Sequence, residues 1–134
     1  DMLLTRGKIV WGFANDDSHH EGDTALAWNV VQVPETQDVN PQSIIDALQA
    51  GQFYASTGVV IDDIRAEGSY LNIRAANAKR INLIADRGQR VLQIENNELH
   101  FRVPDDSSWR YLRVELWGEG ETQAWTQPII VKQD

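Results

Sequence analysis

The spacing of apolar and polar positions changes character along this chain. From residue 59 onward, short segments alternate with period two. Leu71 and Ile73 stand against Asn72 and Arg74, and Leu112, Val114 and Leu116 stand against Arg113 and Glu115. Such alternation marks strands with one face in a core and the other in water. The segments that read as strands are 59–66, 70–75, 80–86, 90–94, 99–103, 111–117 and 129–132. Clusters of Gly, Asn, Asp and Ser separate them at 67–69, 87–89, 95–97, 104–108 and 118–120. Short strands at this spacing, with no helical stretch between them, predict an antiparallel β-sandwich over residues 59–134.

Before residue 59 the pattern is of α/β type. Residues 1–7 form a helix-like stub that stops at Gly7 and reads as an interrupted element. Residues 8–15 read as an apolar strand, 25–33 as a second strand and 34–40 as a polar loop. The best-specified helix follows. Asn40 is its cap, Pro41 takes its first position, Ile44, Ile45 and Leu48 line one side, and Gly51 ends it. Residues 52–58 are aromatic and then small and polar, which predicts a packed joint between the two parts. The fold class expected is therefore mainly β: a strand–loop–strand–helix unit over 1–58, then the sandwich over 59–134.

Composition narrows the function. A chain of 134 residues builds one domain with a core, or one domain and a piece of another. Its 42% hydrophobic and 24% charged residues belong to a globular protein. No apolar run approaches the ~20 residues of a membrane helix, so no membrane partner is expected. No targeting segment is visible, leaving cytoplasm and periplasm equally open. The absence of cysteine excludes disulfides, thiolate catalysis and zinc-ribbon sites. A net charge of -8 argues against nucleic acid, since phosphate contacts need a basic surface. An anionic small molecule stays open, because bound metal ions invert the local field. Of the five tryptophans, Trp117 and Trp125 are expected to plug the ends of the sandwich.

The candidate chemistry lies in Asn15-Asp16-Asp17-Ser18-His19-His20-Glu21-Gly22-Asp23, which holds two of the three histidines. In an extended segment Asp17 and His19 share a face, about 6.5–7 Å apart at Cα, and Asp16, Ser18 and His20 take the other. A carboxylate beside an imidazole suits zinc, manganese or iron. The same composition is also that of an ordinary solvated strand exit, and both readings stand at this point. Two ligands fall short of the three that a catalytic zinc takes from protein, with Glu21, Asp23 and His20 as further donors. The third histidine, His100, lies in an alternating segment and is expected to face solvent or a sheet neighbour.

Several stretches, in order, resemble the C-terminal end of PHP-type metal-dependent hydrolases (the polymerase and histidinol phosphatase superfamily), nearest to the CehA/McbA-like subset. They are Leu3-Leu4 with Gly7-Lys8; Val10-Trp11-Gly12-Phe13-Ala14; Asp16-Asp17-Ser18-His19-His20; Ala27-Trp28-Asn29-Val30-Val31; Ala47 to Gly58; and Ala124-Trp125-Thr126-Gln127-Pro128-Ile129. The resemblance implies that residues 1–58 are the end of a distorted β/α barrel. It implies that Asp17 and His19 are metal ligands, and that Asp16 and His20 are candidates to orient a ligand or the substrate. The chemistry implied is hydrolysis of a small-molecule ester or amide by metal-activated water.

Such enzymes begin their ligand set with an upstream His-x-His. This chain contains none, and its first histidine is His19. The resemblance thus implies the C-terminal part of a longer hydrolase, catalytically incomplete by itself, whose strand at 9–15 pairs with another chain through its free edge. The competing expectation is a non-catalytic sandwich that binds a carbohydrate or a protein. Aligned, solvent-exposed tryptophans would mark that case.

Overall fold

A computed structural model describes residues 1–132. Among the described residues, two antiparallel sheets, two α-helices and three short 3-10 turns make up the fold, which is mainly β. Helix α1 (Met2–Thr5) is a single turn, and α2 (Pro41–Gln49) is the longer helix. The strands are β1 (Trp28–Val31), β2 (Phe53–Ser56), β3 (Asp63–Glu67), β4 (Tyr70–Arg74), β5 (Arg80–Ala85), β6 (Gln89–Ile94), β7 (Glu98–Arg102), β8 (Tyr111–Trp117), β9 (Gln123–Thr126) and β10 (Ile129–Ile130). The large sheet runs β1-β2-β9-β8-β5-β6, with β10 also on β8, and the small one runs β3-β4-β7. No helix among the described residues is long and apolar enough to cross a membrane.

The core lies between the two sheets. The small sheet contributes Leu71, Ile73 and Leu99, while the large one contributes Ile81, Leu83, Leu112, Val114, Leu116 and Ala124. Each Leu or Ile buried this way is worth roughly 1.5–3 kcal/mol, which is why period-two alternation dictates the arrangement. Leu112, Val114 and Leu116 are buried, and Arg113 and Glu115 between them are only half-buried. Helix α2 begins as its residues require: the Asn40 side chain accepts from the Ser43 N–H, and Pro41 follows. Gly51 comes just after the helix with φ +71°, a region costly for any residue carrying a Cβ.

Four sequence expectations need correction. Residues 8–15 are not a ladder strand; Gly12 and Ala14 bond to side chains, as described below, and the Lys8 N–H donates to the Leu3 carbonyl. The 25–33 strand is confined to β1. Residues 59–62 precede β3 rather than belong to it, because Val60 and Ile61 donate to the Asn77 side chain and the Tyr54 hydroxyl. Trp117 and Trp125 do not plug the sandwich. Their neighbours Leu116 and Ala124 take the core positions, so alternation turns both indoles to the opposite face of the large sheet. There the Arg80 guanidinium sits 4.6 Å over the Trp117 ring.

Two strands went unrecognised in the pattern. The 52–58 joint is β2, and it pairs with β1 on one side and β9 on the other. The strand–loop–strand–helix unit and the sandwich therefore share one continuous sheet. Strand β9 runs along β8 and breaks at Gln127-Pro128 before β10 resumes on the same partner. At the break the Thr126 hydroxyl accepts from the Val114 N–H, where proline interrupts the ladder.

Candidate functional site

The segment that enters the Asp/His cluster is held by amide side chains. Gly12 donates its N–H to Gln127 Oε1 at 2.8 Å, and Gln127 Nε2 donates back to the Gly12 carbonyl at 2.8 Å. Two residues on, Ala14 and Asn29 repeat the pattern at 2.9 and 2.8 Å. A side-chain amide carries the same donor and acceptor pair as a peptide group, so each reciprocal pair copies one step of an antiparallel ladder. Flanking contacts complete the seating. The Trp11 indole N–H donates to the Gln49 carbonyl at the end of α2, and the Phe13 ring lies 4.5 Å from Phe53 between centroids.

Beyond Ala14 the chain turns. Asp17 has φ +48°, so the alternation assumed for an extended segment ends there. Asn15 Oδ1 accepts from the Asp17 N–H, a local turn of the kind asparagine favours. Asp16 faces the returning arm, and its carboxylate accepts from three consecutive N–H groups, those of Ala25, Leu26 and Ala27, at 2.7–2.8 Å. These bonds favour the anion and lower its pKa, the one from Ala27 most and that from Ala25 next. A second tie crosses the loop, where Asp23 Oδ2 accepts from the backbone N–H of both His19 and His20 at 2.9 Å.

The two predicted ligands emerge from this frame on the surface. His19 Nδ1 lies 2.6 Å from the Asp17 carbonyl oxygen. A carbonyl only accepts, so Nδ1 carries the proton in the neutral ring and Nε2 is the open lone pair. Neither Nε2 nor the Asp17 carboxylate bonds to another described residue. Asp16 is committed to the backbone and serves to close the loop, and His20 stands exposed beside His19. No group of three or more His, Cys, Asp or Glu side chains able to hold a metal ion occurs among the described residues. His100 lies elsewhere, on β7, with Nδ1 2.7 Å from Asn72 Oδ1 on β4 and Nε2 3.1 Å from Glu98.

A cleft of about 590 Å³ borders the 10–15 segment and is lined by Trp11, Phe13, Asn15, Arg113, Trp125 and Gln127 among others. Asn15 is its nearest lining residue in sequence to the cluster, and Asp17 and His19 are not part of its wall. The residues that position the loop and escaped the sequence reading are Asn29 and Gln127. Asn29 was visible as a lone amide in an apolar strand, Trp-Asn-Val-Val. Gln127 carried no comparable signal, because its partner is 115 positions away. Compared with known proteins, the chain matches no family model, no curated protein and no solved structure.

Proposed function

We propose that this chain is the C-terminal part of a metal-dependent hydrolase of the phosphoesterase type, in which Asp17 and His19 supply two ligands to a divalent centre. The observation that carries this reading is the state of His19. Its Nδ1–H is anchored on a backbone carbonyl and its Nε2 is open, the arrangement that metal-binding imidazoles adopt. The donor set, one carboxylate and one imidazole, suits zinc, manganese or iron. Two donors leave the centre to be completed from outside the described residues, so this chain alone is catalytically incomplete. A bound ion would supply an acidified water and polarise the substrate's phosphoryl or carbonyl oxygen. The chain's own part is to present Asp17 and His19 on a loop closed by Asp16 and Asp23.

In the same reading residues 1–58 are the end of a PHP-type barrel. Of the fifteen exposed large hydrophobic residues among those described, eleven precede residue 59, Ile9, Val10, Phe13 and Trp28 among them. Apolar surface of that extent suits cover by further polypeptide. A sugar-binding sandwich draws less support, since among the described residues Trp28 is the one exposed tryptophan, at 41%.

The test supplies the rest of the barrel and measures metal content with phosphate-ester turnover. The isolated chain is expected to bind Mn²⁺ weakly and to turn nothing over. In the complete enzyme, Asp17→Ala and His19→Ala are expected to lower metal occupancy and rate together, on the order of a hundredfold. Full metal and full rate in either variant would remove the assignment.

A further inference from the structure

We infer that Gln127 and Asn29 are positioning residues, a pair of amide clamps that set the Asp17/His19 loop from the large sheet. This rests on the reading of that loop as a metal-binding corner. Gln127 is 93% buried (7% exposed) and uses both ends of its amide on one residue, Gly12. A buried amide is tolerated only when its groups are satisfied, so the Gly12 backbone and the Gln127 side chain each complete the other. Gln127 sits where Pro128 breaks the β9–β10 strand along β8, and Asn29 sits on β1. The two clamps therefore grip residues 12 and 14 from two places on the same sheet, the β9–β10 break and β1.

From Ala14 the connection to the ligands is short. Asn15 follows directly and caps the Asp17 N–H, and the Asp17 carbonyl in turn holds the His19 ring. Movement of the clamped segment is thus transmitted through two successive hydrogen bonds to the Asp17 backbone and the His19 ring. The sandwich, reaching back through Gln127, governs the geometry of a site formed at the opposite end of the sequence. Only an amide does this at both positions, because an ionised carboxylate cannot donate and an apolar side chain does neither.

The experiment uses the whole chain, free of metal, with Gln127→Glu, Gln127→Met and Asn29→Asp. Gln127→Met guards against the cost of a buried charge. Amide hydrogen exchange is expected to quicken about tenfold or more at Gly12 in Gln127→Met, which removes the acceptor of its N–H. The same is expected at Gly12 in Gln127→Glu and at Ala14 in Asn29→Asp, where the carboxylate keeps that acceptor but sets its second oxygen against the facing carbonyl and opens the clamp. The Asp17 amide and His19 ring resonances are expected to shift in all three, while protection on β5 and β8 stays as in the unaltered chain. Faster exchange at residues 12 and 14 with unmoved Asp17 and His19 signals would overturn the inference, as would no change at all. Loss of β5 and β8 protection in every variant would also overturn it, by assigning the amides to the sheet as a whole. Adding Mn²⁺ to the unaltered chain tests the underlying reading separately. If His19 is not broadened, the metal assignment fails, whereas the clamps are judged on the metal-free signals.

Discussion

Both carboxylate oxygens of Asp16 are occupied by the N–H groups of residues 25–27, and this has a pH consequence. Its pKa is lowered in the folded chain, so its contribution to loop closure is complete above the ordinary aspartate range. That contribution is lost as pH falls through the depressed folded value. In acid, the Ala25, Leu26 and Ala27 amides are expected to lose their hydrogen-bonded shifts together, at a pH below that of an exposed aspartate. Asp16→Ala is expected to show the same shifts already at neutral pH, and NMR of the three amides checks both. The residue types in this cluster were legible in the sequence. Their division of labour was not. Two neighbouring aspartates of identical chemistry differ only in what the fold brings within hydrogen-bond reach: three backbone amides for Asp16, none for the Asp17 carboxylate.

Elements whose signals are local came through as read. The α2 boundaries follow from Asn40, Pro41 and Gly51, and β8 from its alternation. Gly51 has a second role that only packing reveals. A Cβ built on it meets the Trp11 ring at 2.9 Å, so glycine serves both the positive φ and the seating of that indole. Gly51→Ala is expected to destabilise the chain by about 1–2 kcal/mol from the backbone alone. It should also red-shift part of the tryptophan emission as Trp11 is displaced, and urea denaturation followed by fluorescence measures both. The 8–15 segment shows the limit of pattern reading. Its apolar run has the composition of a strand, but Gly12 and Ala14 bond to the amides of Gln127 and Asn29 instead of a neighbouring strand. Strands β2 and β9 were hidden for the opposite reason: they are only four residues long, and their partners, not their own period, define them.

Across the whole molecule, β2 pairs with β9 and thereby ties the first 58 residues into the sheet that walls the sandwich core. Breaking that seam would leave two open edges. The chain is therefore expected to unfold in one transition, with calorimetric and van't Hoff enthalpies equal and with amide exchange on β1 and β5 lost together on heating. Two separated transitions would show that the seam is weak. A further tie joins the start of the chain to β8, where the Asp1 carboxylate accepts from the Tyr111 hydroxyl and from Arg113.

What the sequence determined by itself was the set of local choices. These are a mainly β chain of antiparallel sheets, the capped helix, most strand positions, and the inward residues of β4 and β8. Each depends on a residue and neighbours a few positions away, through side-chain period, capping or turn propensity. The tertiary structure alone decided that both halves share one sheet, that Trp117 and Trp125 face away from the core, and that Gln127 grips Gly12. Those outcomes depend on pairings between segments as much as 115 positions apart. Their energy comes from contacts that exist only after the chain has closed on itself, so no local pattern announces them.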